Sequence, residues 1–132
     1  MNLGFKEQFI PKIIDGTKKH TIRDDKPNRW GKGAIIHFAT GVRTKNYNCF
    51  KRGICLSTQT IEFKWQNYNK GLVSEGWSVK VFIDGRDVTN DDIIDELAVN
   101  DGFADRKAFF EWEAWYKKDF KGKIIHWTDL KY

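Results

Sequence analysis

The sequence predicts an α+β protein: a small, mostly antiparallel β-barrel with peripheral helices, forming one domain over residues 1–132. Three observations carry this. Short β-branched and aromatic segments crowd the first two thirds of the chain, without the repeating strand–helix–strand rhythm of a doubly wound parallel sheet. Asp84-Gly85 separates two apolar runs, the strongest short hairpin signal present. After Val88 the apolar spacing switches from alternating to helical.

Each element has its own warrant. Residues 3–5 read as a short first strand. Phe9, Ile10, Ile13 and Ile14 have helical spacing, so residues 7–15 read as a helix, with Pro11 in its first turn and Gly16 as its stop. His20–Arg23 reads as a strand. Residues 24–32 are polar, with Pro27, Asn28 and Gly31, and read as a loop. Residues 34–39 (AIIHFA) make a buried strand, and 40–47 a basic excursion. Residues 53–65 are too long for one straight strand, so a bend is expected at 57–60. Residues 67–76 read as a turn-rich connection, and 79–83 with 86–88 as a hairpin. Asn90 precedes two acids and the set Ile93, Ile94, Leu97 and Ala98, an N-capped helix over 90–99. Asp105 caps a second helix over 105–118. Gly122 ends that region, and 123–128 form a last strand.

Composition bounds the function. The chain weighs 15.5 kDa, is 40% hydrophobic and carries 6 Trp, enough apolar surface to offset the entropy of folding. No apolar run approaches the ~20 residues of a membrane helix, and MNLGFKEQF lacks a signal peptide's apolar segment. A cytoplasmic monomer with no membrane partner is expected. Cys49 and Cys55 fit no zinc spacing and read as two free thiols. Residues 1–80 hold 15 Lys and Arg against 6 Asp and Glu, whereas residues 81–132 hold 8 against 12. Such asymmetry fits one polyanion-binding face, with Lys18, Lys19 and Arg23 beside part of the set Arg43, Lys45, Lys51 and Arg52. The plainer alternative is a set of solvated lysines.

No Gly-rich phosphate loop, Ser-His-Asp order or CxxC pair occurs, and nothing calls for a cofactor. His20, His37 and His126 each fall in an expected strand. Their spacing requires no metal, and none is assigned. Trp30, in the polar loop, is either a lid on the core or a stacking platform for a base. Trp65 and Trp77 read as core, as do Phe109, Trp112 and Trp115 at helical spacing.

Three segments together resemble the ASCH domain family of the PUA-like superfamily. They are residues 16–24 (GTKKHTIRD), 97–103 (LAVNDGF) and 125–128 (IHWT). The first is similar to the family's Gly-x-Lys motif with its following Thr and Arg: Gly16, Lys18, Thr21 and Arg23. The resemblance implies a five- or six-stranded barrel with a cleft along that segment, binding RNA or a modified nucleoside. Some small bacterial members are amidohydrolases that remove the acetyl group of N4-acetylcytidine. By that resemblance Lys18, Thr21 and a carboxylate at Asp101 are the catalytic set, although the hydrolytic members carry Glu, one methylene longer. Gly16, Lys19, Arg23, Trp30 and His126 are the accompanying ligand-binding candidates. A ribonuclease using the basic cleft is a third alternative.

The residue types suit amide hydrolysis. Thr21 offers a hydroxyl, a weak nucleophile that needs a neighbouring base. Lys18 could serve only with a depressed pKa, which a desolvating cleft and nearby Lys19 and Arg23 favour. Arg23 could hold an oxyanion, and Asp101 could orient the lysine. Because strand side chains alternate, Lys18 must precede the strand to share a site with Thr21.

Overall fold

The computed structural model describes residues 1–67, 77–112 and 118–132. In chain order, β1 (Asn2–Gly4) leads to a 3-10 turn (Glu7–Phe9) and α1 (Ile10–Ile14). Then come β2 (His20–Arg23), β3 (Ile35–Thr40), β4 (Asn48–Ile54), β5 (Ser57–Asn67), β6 (Trp77–Ile83) and β7 (Arg86–Asp87). The chain continues through α2 (Asp91–Asn100) and α3 (Arg106–Glu111) to β8 (Phe120–His126).

The architecture is α+β and mostly antiparallel. The ladders form two sheets, one ordered β1-β3-β4 and the other β2-β8-β5-β6-β7, rather than one closed ring among the described residues. β1 runs parallel to β3, with Leu3 opposite Phe38. β2 pairs with β8 from His20 opposite His126 to Arg23 opposite Lys123. Between the sheets and helices lies a core that includes the fully buried Ile36, Phe38, Phe63, Leu97, Phe109 and Ile124. Each such side chain contributes about 2 kcal/mol by leaving water.

Several boundaries differ from expectation. The bend falls at Cys55 and Leu56, earlier than 57–60, where the Cys55 N–H donates to the Ala34 carbonyl and the Leu56 N–H to that of His126. Both neighbouring strands hold the chain there. β4 starts at Asn48, so the basic stretch beyond Tyr47 is strand: pairing with β3, through a register shift at Phe38 and Ala39, outweighs its polarity. Gly122 does not end a region but lies inside β8, opposite Ile61, because the ladder runs on to Phe63 opposite Phe120. The first helix splits into a 3-10 turn and a short α-helix.

The helices of the second half follow their local signals. Asn90 Oδ1 accepts the Asp92 N–H at 2.8 Å, capping α2, which buries Ile94, Leu97 and Ala98 on one face. Asp105 Oδ1 accepts the Ala108 N–H at 2.8 Å, capping α3. That α-helix ends at Glu111, where Trp112 adopts an extended backbone, and residues 113–117 of the expected helix lie outside the described residues. Trp65 packs as expected, half-buried and edge-on to Phe110 at 5.3 Å. Residues 68–76 and the side chains of Trp77 and Trp115 lie outside the described residues. Among the described residues no helix is long and apolar enough to cross a membrane.

Candidate functional site

The site is built where α1 ends, β2 begins and α2 ends. Gly16, at a φ of +86°, turns the chain after α1 so that the Lys18 N–H reaches the Lys12 carbonyl at 2.9 Å. The Lys19 N–H donates to the Asn100 carbonyl at 2.7 Å, tying this segment to the end of α2. Lys12 Nζ donates to the Gly102 carbonyl at 2.7 Å and ties the same two ends again. Lys18 therefore precedes β2, and its side chain points inward, only 2% exposed.

Its partner is Asp101, the C-cap of α2, 4% exposed. Lys18 Nζ donates to the Asp101 carbonyl and lies 3.3 Å from its Oδ1. The shorter acid thus reaches the lysine. The ammonium also lies 5.0 Å from the Phe9 ring centre and 5.7 Å from that of Phe5. Burial pushes the Lys18 pKa below its ordinary value; Asp101 opposes this, and the charges of Arg23 and Lys12 reinforce it.

Around Lys18 opens a cleft of about 660 Å³, within the range of small-molecule sites. Lys18, Thr21, Arg23 and Asp101 all line it. Thr21 Oγ1 accepts from Arg23 Nε at 3.2 Å rather than from Lys18. The Arg23 guanidinium also donates to the Gly4 carbonyl at 2.6 Å and lies 5.2 Å from the Phe5 ring centre. This fixes the guanidinium across the cleft wall.

Four ligand-binding candidates stand elsewhere. Gly16 is exposed and shapes the turn. Lys19 is held by its backbone, its carbonyl accepting from the Trp127 N–H, and its side chain does not line the cleft. Trp30 lies outside the cleft, packed against the core; its N–H donates to Asp25 Oδ2 at 3.0 Å and its carbonyl accepts from Lys123. His126 is fully buried behind β2, its Nε2 2.9 Å from Gln59 Oε1. The exposed Arg43, Lys45, Lys51 and Arg52 are not cleft-lining either, although Gly41 and Val42 bring the start of that excursion to the mouth.

The cleft also holds residues that the sequence did not flag. Phe5, Phe9, Phe103, Trp112 and Phe120 supply an apolar wall, and Lys6 adds a cation. Phe9 packs edge-on to both Phe103 and Trp112 at 5.5 Å. Helical spacing marked Trp112 as core, and it packs against the core while also lining the cleft. His20 was missed as a site residue: its Nδ1 lies 3.1 Å from Asp101 Oδ1. Among the described residues no group of three or more His, Cys, Asp or Glu gathers as a metal site.

The chain matches no family model, no curated protein and no solved structure.

Proposed function

We propose that this cleft takes a modified nucleoside, free or within RNA, and that Lys18, Thr21 and Asp101 equip it to hydrolyse an acylated one such as N4-acetylcytidine. One observation carries the reading. A lysine buried beside a carboxylate, with its proton affinity lowered by desolvation, opens into an aromatic-walled cleft that also holds a hydroxyl and a guanidinium. The aromatic edges suit a base and the cations suit an oxyanion. The two sheets are then read as the halves of a small barrel of the ASCH type.

In the hydrolytic cycle the Lys18 amine takes the Thr21 hydroxyl proton as Oγ1 attacks the acyl carbon. Arg23 Nε holds Thr21 Oγ1 in the resting site, and its guanidinium stabilises the negative charge that develops on the acyl oxygen. The C–N bond breaks and the Lys18 ammonium returns the proton to the departing nucleoside amine. Water then hydrolyses the threonine ester, releasing acetate. Asp101 holds Lys18 in place throughout.

The test is to incubate the protein with N4-acetylcytidine and follow cytidine release. Wild type should turn over, while Lys18→Ala and Thr21→Ala should lose nearly all activity. Thr21→Ala that keeps most of the rate would overturn the nucleophile assignment. Binding without turnover, weakened only slightly by Thr21→Ala, would mark a recognition module instead, since a neutral hydrogen bond is worth about 1 kcal/mol.

A further inference from the structure

At the cleft wall, one carboxylate oxygen serves two cation-capable partners. Asp101 Oδ1 lies 3.3 Å from Lys18 Nζ and 3.1 Å from His20 Nδ1. The Asp101, Lys18 and His20 side chains are 5%, 3% and 0% exposed. On the far side of the imidazole, Nε2 lies 2.7 Å from Tyr132 Oη, which in turn accepts from Asn100 Nδ2 at 3.1 Å.

The chain of partners dictates the proton positions. A carboxylate only accepts, so His20 Nδ1 carries the proton and donates it to Asp101. Tyr132 Oη uses its lone pairs for Asn100 and its own proton for Nε2. Burial pushes the Tyr132 pKa up, so the hydroxyl keeps that proton, and burial pushes the His20 pKa down, so the ring stays neutral. The hydrogen bonds run unbroken from Tyr132 through His20 to Asp101.

We propose that His20 is a positioning residue for Lys18: its Nδ1–H occupies part of the Asp101 Oδ1 acceptor capacity and so limits how firmly the carboxylate holds the Lys18 ammonium. The inference rests on, and deepens, the hydrolytic reading, because a lysine that must give and take a proton cannot be locked in a full ion pair. His20 never meets the cleft, so it acts only through Asp101. The groups around the relay are few. Arg23 and Lys12 bear on Lys18, and the ring of His126 stands edge-on to His20 at 5.3 Å. Glu96 acts on Tyr132 only at range.

The test reads Lys18 directly, by titrating its Cε signal in NMR of the full chain with labelled lysine. His20→Phe keeps the ring shape and removes both hydrogen bonds; Lys18 should then titrate about one pH unit higher. His20→Asn, which restores a donor beside Asp101, should bring it back. Tyr132→Phe removes only the hydroxyl that polarises the imidazole and should raise the titration by a smaller step, which keeps the question open to decision where His20→Phe does not fold. The acid limb of the turnover profile should move with Lys18. An unchanged Lys18 titration in His20→Phe or Tyr132→Phe overturns the proposal, as does an Asn variant that behaves like Phe. A Lys18 shift in a protein that does not turn over N4-acetylcytidine sinks the hydrolytic reading and supports the role of His20.

Discussion

Gly102 lies so close to the Lys18 stem that a side chain at 102 would push the stem aside by a few tenths of an ångström. A Cβ there would stand 3.1 Å from Lys18 Cδ and 3.1 Å from Phe9 Cδ1, at a φ of +96°. The residue after Asp101 thus leaves the lysine stem its space beside Phe9, while its own carbonyl accepts from Lys12. Gly102→Ala should cost about 2 kcal/mol, from left-handed backbone strain plus the tight contacts. Urea unfolding gives the first number. Turnover should fall further than stability explains, because Lys18 must shift; equal losses would mean that the packing does not set the lysine.

The buried pair of Lys18 and Asp101 should respond asymmetrically to substitution. Asp101→Asn leaves a buried ammonium without its counter-charge and should destabilise by roughly 3 kcal/mol or more. Adding Lys18→Met to it replaces that ammonium with an apolar chain of similar length. The double variant should recover most of the stability and none of the activity. A double variant no more stable than Asp101→Asn alone would show that the penalty does not come from the unpaired charge.

Acid should weaken the fold through its histidines. Burial, helped by nearby His20, lowers the His126 pKa from 6.5 to about 4. The unfolded chain therefore binds a proton near pH 6.5 that the folded chain refuses until about 4. The sign follows: this stability is full above pH 6.5 and is lost as pH falls towards 4. His20, also lowered, acts in the same direction. In His126→Gln, whose amide can still donate to Gln59 Oε1, unfolding free energy measured between pH 7.5 and 4.5 should decline less steeply than in wild type. Parallel curves would remove His126 from this account.

Should RNA be the carrier of the modified base, binding should depend steeply on salt. Lys6 and Arg23 line the cleft, and Arg43, Lys45, Lys51 and Arg52 are exposed. Three phosphate contacts would weaken single-strand binding roughly twentyfold between about 50 and about 200 mM salt. A flat salt series with a short acetylated RNA would restrict recognition to the nucleoside itself.

Loop 24–32 is anchored by one lysine from β8. Lys123 Nζ donates to Asp25 Oδ2 at 2.9 Å, to Asn28 Oδ1 and to the Trp30 carbonyl at 3.1 Å. Lys123→Met should loosen this loop, seen as faster amide exchange at Arg29 and Trp30, whose N–H groups Asp25 binds. Unchanged exchange there would show that the Asp25 turn holds without the lysine.

Much of this molecule was legible residue by residue. Strand β2 runs over the four residues expected, the Asp84-Gly85 turn joins two strands, and Asn90 and Asp105 cap the two later helices. Those signals are local: alternation, helical spacing and caps report neighbours within four residues. Strand alternation also required Lys18 to precede β2 if it was to share a site with Thr21, and the family resemblance supplied Asp101 as the distant carboxylate.

What tertiary structure alone decided concerns residues far apart in the chain. Asp101 meets Lys18 across 83 positions and His20 across 81, and no local pattern encodes either approach. The path of the chain also put Trp30 against the core, one of the two places its loop allowed, and Trp112 at the cleft, where helical spacing had indicated core. Cross-strand pairing made β4 out of a basic stretch and carried β8 through Gly122, overriding local polarity and a turn residue. The physical reason is the same in each case. Propensity is worth tenths of a kcal/mol per residue, whereas burial and ladder bonds are worth about 1 kcal/mol or more each, and those depend on which distant segment arrives.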